Sequence, residues 1–333
     1  MKEERKVPGQ VTASSPGLHR FAIVCVAATF TLIFVGGLVT STGSALAVPD
    51  WPLAYGHLIP KLEGGVRFEY GHRVVAGVVV ILTAILATWS WYSEPRRWVR
   101  NIALAAFGLV IVQAILGGIT VLLLLPLAIA VAHAATAQAF FCLIVAMAVF
   151  TNPRFAGAAA PKSGDRPAHI ARLATVTTGI IYLQILIGAV MRHLGAGLAI
   201  PDFPLSFGHL VPPLVSIYVD INFAHRCGAL VVASFVIWLA ARVIASRSEA
   251  YLRSPAYGLL VLLVLQVTLG ALTIWSGRAV IPTTAHVAVG AALLATCVML
   301  TLRASASEEL AWTAEADRVR GNPRPAMERK VTV

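Results

Sequence analysis

Four of the nine histidines have the spacing to do chemistry together. His72 and His133 are 61 residues apart, and so are His225 and His286. Two imidazoles that face each other across a helix bundle supply both axial ligands of a haem iron, with the flat macrocycle between the helices. Four residues beyond the histidines stand Ala76, Ala137, Ala229 and Gly290, which are small enough to leave room for such a ring. Two other readings stand beside this one. Histidines at helix interfaces can hydrogen-bond between helices and bind nothing. Zinc takes three or four ligands in one tetrahedron, usually from short motifs such as HExxH, and the sequence has no such motif. Two ligands per bundle suit a six-coordinate haem better.

The two pairs belong to an internal repeat. Residues 43–60, GSALAVPDWPLAYGHLIP, match residues 195–212, GAGLAIPDFPLSFGHLVP, at eleven of 18 positions. One inserted residue later, EYGHR (69–73) matches NFAHR (222–226), QAILGGIT (113–120) matches QVTLGALT (266–273), and AHAATA (132–137) matches AHVAVG (285–290). Where the copies differ, chemistry can differ. Glu69 in the first half stands where the second has Asn222. If the stretch is helical, Glu69 and His72 share a face at i, i+3, and Glu69 is a candidate proton carrier. The bland alternative is a loop carboxylate paired with Arg73 or Arg67.

Arg73 and Arg226 directly follow the first histidine of each pair. They are candidate contacts for haem propionates, which arginine binds bidentately, or else interfacial cations. Asp50 and Asp202 sit in Pro-Asp-x-Pro turns, where a short carboxylate caps local backbone N–H groups. Gln113 and Gln266 read as interhelical hydrogen-bond partners. His57 and His209 follow the repeated turns and shape the outer loops, and His193 stands where the first half has Ser41.

The elements that position these residues are set by composition. Apolar residues make up 58% and charged residues 12%, against about 45–50% and about 25% in soluble domains. From Asn101 to Pro153 there are 53 residues without a charge, and one bilayer crossing takes about 20. A soluble enzyme, a disordered chain and a nucleic-acid-binding domain are excluded. The pattern predicts eight helices over 21–40, 72–92, 101–125, 127–150, 172–191, 222–244, 256–276 and 281–302. The expected fold is an all-α integral membrane protein of two tandem four-helix bundles, related by a pseudo-twofold axis along the membrane normal. Residues 1–20 form an N-terminal tail, 21–150 the first repeat, 151–171 a linker, 172–302 the second repeat and 303–333 a polar, mobile tail.

Orientation follows from charge. With the N-terminus inside, 20 of 26 Lys and Arg residues lie on the inner side and six on the outer, which places both termini in the cytoplasm. The net charge of +11 is then a topology signal plus attraction to anionic lipid, with no nucleic-acid partner. Helices 2, 4, 6 and 8 start outside, so the four histidines share one depth near the outer face. His19 and His169 fall inside. The first apolar stretch is long enough to span and no cleavable signal is evident; a bacterial cytoplasmic membrane is the expected address. Cys25, Cys142, Cys227 and Cys297 all fall within predicted helices and read as apolar helix residues.

The segments TGSALAVPDWPLAYG, EYGHR, GAGLAIPDFPLSFG, FAHR and TTAHVAVG resemble the motifs of the haem A synthase family, and the likeness covers nearly all of 21–302. The resemblance implies oxidation of the C8 methyl of haem O to the formyl of haem A, through a hydroxylated intermediate that loses water, for cytochrome c oxidase. It implies a haem b cofactor ligated by His225 and His286, substrate haem O at His72 and His133, molecular oxygen as oxidant, and a catalytic role for Glu69. It also implies haem O delivery by haem O synthase and an electron donor that the sequence does not name; a homo-oligomer is left open. Some family members carry a cysteine pair in the first outer loop. Here that stretch has Val48 and Ala54, so a thiol step there is not part of this protein's mechanism. A dihaem b-type electron-transfer cytochrome would explain the four histidines but not the Glu/Asn difference. A repeat-built transporter would explain the duplication but not histidines gathered at one face.

Overall fold

The computed structural model describes residues 15–153, 168–246 and 250–319. Eight long helices account for most of them: α1 (Pro16–Ser41), α2 (Val66–Ser93), α3 (Arg97–Leu122), α4 (Leu127–Phe150), α5 (Ala168–His193), α6 (Ile217–Ala245), α7 (Ala250–Trp275) and α8 (Val280–Val319). Among the described residues these eight are long and apolar enough to cross a membrane. The chain is a multi-pass membrane protein. Its apolar side chains point outward as well as inward: Ile81, Leu230 and Val264 are all more than half exposed on their helices. Lipid is the only solvent in which that surface costs nothing.

Helix ends follow local chemistry rather than the limits of the apolar runs. Ser15 accepts a hydrogen bond from Leu18 N at 3.2 Å and Pro16 opens α1, so the helix starts before the expected residue 21. Ser216 caps α6, which puts His225 and Arg226 in its third turn instead of the first. The largest correction is α8, expected to end at 302. It runs to Val319, because Ala, Glu and Arg sustain a helix in water once the apolar span is complete. The expected polar tail therefore begins as helix. Residues 320–333, the first fourteen residues and 154–167 of the expected linker lie outside the described residues.

Each repeat closes into a four-helix ring. α1 packs on α2, α2 on α3, α3 on α4, and α4 returns to α1; α5 to α8 close in the same order. The rings meet through α1 with α8, α4 with α5, and α4 with α8. Exchange of the two halves converts the first of these contacts into the second and leaves the third unchanged. The buried core divides accordingly. One cluster is built on Leu18, Leu86, Ile144 and Met147. The other, on Ile181, Leu239, Leu259 and Leu294, also takes in Phe141 and Val145 of α4, so the second core reaches across the junction.

At one end the short turn between α2 and α3 is closed by Glu94, which is only 2% exposed. It accepts from Arg96 Nε at 2.6 Å, and Arg96 Nη2 donates to Phe150 O at the end of α4. At the opposite end the chain turns from α3 to α4 through Leu124 and Leu125, both with positive φ, and from α7 to α8 through Gly277 and Arg278. The second half has glycine at the first left-handed position; the first half forces leucine into it.

Candidate functional site: four histidines on glycine seats

His72, His133 and His286 are each the seventh residue of their helices, and His225 is the ninth of α6. A rise of about 1.5 Å per residue places all four about two turns in from the same end of the bundles. Every ring lies against a glycine of the preceding helix. A Cβ added at Gly36 would stand 3.0 Å from His72 Cε1, at Gly117 3.3 Å from His133 Cε1, at Gly188 2.9 Å from His225 Cε1, and at Gly270 3.1 Å from His286 Cε1. Any larger residue would push the imidazole away. These seats were not singled out in the sequence reading. The signal was present, since Gly36 matches Gly188 and Gly117 matches Gly270 at the repeat offsets.

In the C-terminal half the rings of His225 and His286 face each other, 6.4 Å between centroids and 68° between planes. A metal–imidazole bond of about 2 Å on each side, plus about 1 Å from nitrogen to ring centre, separates two trans axial imidazoles by about 6 Å. The pair therefore fits one six-coordinate iron. His72 and His133 make no such ring contact, although they lie within electrostatic range of each other. Among the described residues no three His, Cys, Asp or Glu side chains converge as a metal cluster.

The polar neighbours differ between the halves. Gln184 Nε2 lies 3.0 Å from His225 Nδ1 and donates to His225 O at 2.7 Å. His286 Nδ1 lies 3.1 Å from Gln266 O, and Gln266 Nε2 is 3.4 Å from His286 Nε2. In the N-terminal half Gln113 Nε2 donates to His133 O at 2.9 Å, and Gln113 Oε1 accepts from Thr136 Oγ1 at 2.9 Å. His72 Nδ1 and His133 Nδ1 are buried with no hydrogen-bond partner. Gln113 is thus the interhelical link expected of it, whereas Gln266 turns toward the histidine.

Glu69 is a buried helix residue, 4% exposed, rather than a loop carboxylate. Its Oε1 pairs with Arg73 Nη2 at 2.7 Å and its Oε2 accepts from Val48 N at 2.8 Å. Arg73 Nη1 donates to Asp50 O and Leu53 O, and Nη2 also to Val48 O. Asn222 does the same work without charge. It donates to Ala196 O at 2.8 Å and accepts from Arg226 Nε at 3.0 Å, while Arg226 reaches Leu205 O and Ile200 O. Both arginines, the expected propionate contacts, are engaged by loop carbonyls. These contacts clamp the outer loop of each half onto the helix that carries the first histidine.

The loops themselves are tied by Asp50, which accepts from Tyr55 N at 2.6 Å and Gly56 N at 2.8 Å, and by Asp202, which accepts from Phe207 N and Gly208 N. The Gly56 N–H and Gly208 N–H hydrogen bonds hold both carboxyls below their usual range. His57 and His209 contribute backbone bridges to Ala54 and Ser206 and leave their rings exposed. A residue missed from sequence joins the halves at this level. Arg192 Nη2 donates to Gly37 O at 3.0 Å and Ser41 Oγ at 2.8 Å, and Ser41 Oγ accepts from Thr284 Oγ1 of α8.

A family model for cytochrome oxidase assembly proteins matches residues 19–67 and 66–298, which is nearly the whole described bundle. The chain belongs to this family. Among curated relatives of the haem A synthase family, that of Symbiobacterium thermophilum is 32% identical over 266 residues, covering 77% of this chain and 85% of its own length. The haem A synthase of Staphylococcus haemolyticus is 29% identical over 302 residues, 86% of this chain and 96% of its own. That of Geobacillus kaustophilus is 28% identical over 264 residues, 75% and 80% respectively. The family matches run through both histidine pairs, and the relatives are bacterial.

Proposed function

We propose that the protein is a haem A synthase, an oxidoreductase that converts the C8 methyl of haem O to the formyl of haem A for cytochrome c oxidase. In this reading the conversion proceeds by successive oxygen-dependent hydroxylations and loss of water. His72 and His133 bind the substrate haem O; His225 and His286 bind a haem b cofactor. The observation that carries the assignment of halves is the ring contact: the His225–His286 rings stand 6.4 Å apart, near the separation that two ligands of one iron would need, whereas His72 and His133 make no ring contact.

Haem b, when bound, supplies one-electron redox chemistry next to the substrate half. The chain's own residues do the rest. The four glycine seats let the Cε1 edge of each imidazole approach the neighbouring helix with no Cβ in the way. Glu69 is held between the Arg73 guanidinium and the Val48 N–H, so it serves by positioning the outer loop above His72 rather than as a free proton carrier. Trp51, seated on α3 where a Cβ at Gly118 would lie 2.6 Å from its ring, covers the same half and limits water. The charge asymmetry supports both termini in the cytoplasm, with the histidine pairs toward the outer face of a bacterial cell membrane. Electrons come from a donor outside the chain, and haem O from haem O synthase.

Purification from cells that make haem O, followed by extraction and mass-resolved separation of the haems, tests the reading. Haem B together with haem O, its hydroxylated form or haem A is expected. Haem B alone, near two per chain, would instead make the protein an electron-transfer cytochrome.

A further inference from the structure

Around the histidines the repeat departs from itself in a coordinated way. Gln184 stands where the first half has Leu32, and Gly228 where it has Val75. These two differences are one feature. The Gln184 side chain lies across Gly228 so closely that a Cβ there would be 2.0 Å from Oε1; glutamine can occupy that place only over glycine. A second coordinated pair surrounds the other histidine. Thr136 and Ala137 of the first half become Val289 and Gly290. Thr136 draws the Gln113 carboxamide to itself, away from the His133 ring. Val289 cannot do this, and Gln266 settles over Gly290, where a Cβ would be 3.1 Å from its Nε2.

The consequence falls on Nδ1 of each ring. Both C-terminal histidines have a polar atom against Nδ1, from Gln184 and from Gln266 O. Both N-terminal histidines have a buried Nδ1 with none. An imidazole that binds iron through Nε2 carries its hydrogen on Nδ1. An oxygen there fixes the ring's rotation and raises its basicity, and loss of such a partner weakens metal binding about 10–100-fold. Gln266 O is such an oxygen. Gln184 fixes the other ring through its carboxamide, whose Nε2 lies 3.0 Å from His225 Nδ1 and holds His225 O at 2.7 Å.

We propose that these substitutions divide the two sites into one that retains its haem and one that exchanges it, with Gln184 the positioning residue of the retaining site. The inference rests on the reading of the four histidines as haem ligands. A product must leave at every turnover and a cofactor must not, and the repeat answers this by changing what stands behind the ligands, while keeping the ligands themselves.

The test is the rate at which haem leaves the purified, loaded protein to an excess of an apoglobin, followed by absorbance and resolved by haem type. Gln184→Met, similar in length and apolar, is expected to speed haem B release about 10–100-fold and to broaden the low-spin electron paramagnetic resonance signal, with thermal unfolding of the detergent-solubilised protein unchanged. The converse double variant, Leu32→Gln with Val75→Gly, is expected to slow release of haem O or haem A by a similar factor. Unchanged release rates in folded Gln184→Met protein would overturn the proposal and leave the ligand assignment standing. Haem B retained by His225→Ala and His286→Ala would overturn both.

Discussion

In the N-terminal half Trp51 covers Gly118, a charged Glu69–Arg73 pair clamps the outer loop, and neither histidine has a partner behind it. In the C-terminal half Phe203 and Ala271 stand at the first two places, a neutral Asn222 holds Arg226, and both histidines are backed by glutamines. What the halves share is scaffold: glycine seats, aspartate-tied turns, arginines on loop carbonyls. What they do not share lies within reach of the histidines. On the proposed reading, duplication supplied two equal pockets, and a handful of substitutions divides them into a holder and a workplace.

The comparison breaks most visibly if the ligands are removed. His225→Ala or His286→Ala is expected to abolish retained haem B, whereas His72→Ala or His133→Ala is expected to leave it and abolish conversion; pyridine haemochrome spectra of the purified variants report this. Glu69→Gln sharpens the contrast next. It leaves an acceptor for Val48 N but removes the charge that holds Arg73, so conversion should fall about 100-fold through misplacement of the loop, with haem content unchanged. Normal haem A output from this variant would leave Glu69 no role in the reaction.

Smaller effects come from the seats and turns. Gly188→Ala places a Cβ 2.9 Å from His225, against 3.3 Å for Gly117→Ala and His133. The first should cost about 1–3 kcal/mol and shift the haem B absorbance; the second should do neither to that extent. Leu124→Gly relieves a left-handed leucine with φ of 58° and should stabilise by about 1 kcal/mol or less, seen as a higher unfolding midpoint. Asp50 and Asp202 have carboxyls held below the ordinary value of 3.8 in the folded chain. Their contribution is therefore present above that value and is lost as pH falls through the depressed folded value. Trp51 fluorescence should change only on acidification below about pH 4, and Asp50→Asn should move that change to higher pH or abolish it.

Much of this was legible in the residues. Uncharged runs dictate spans, the repeat dictates two bundles, and histidines at equal separation in both copies point to four imidazoles at one level. The Asp50 and Asp202 turns were read correctly because a carboxylate in a Pro-Asp-x-Pro turn has few other uses. Other features escaped. The glycine seats are defined by contact between helices far apart in sequence, which composition does not report. Gln184 was hidden because its counterpart is a leucine, so it belongs to no repeated motif. The type and place of Arg73 and Arg226 suit anions; their donors on Asp50 O, Leu53 O, Leu205 O and Ile200 O are visible only in the structure. The end of α8 was missed because polarity ends a membrane span without ending a helix.

The most direct test of two unequal sites is the haem inventory of four single variants, His72→Ala, His133→Ala, His225→Ala and His286→Ala, purified from cells that make haem O. The account predicts that haem B disappears from the last two alone, and that haem O and its oxidised forms disappear from the first two alone. Haem B lost from His72→Ala or His133→Ala, or both haem types lost equally from all four, would contradict it.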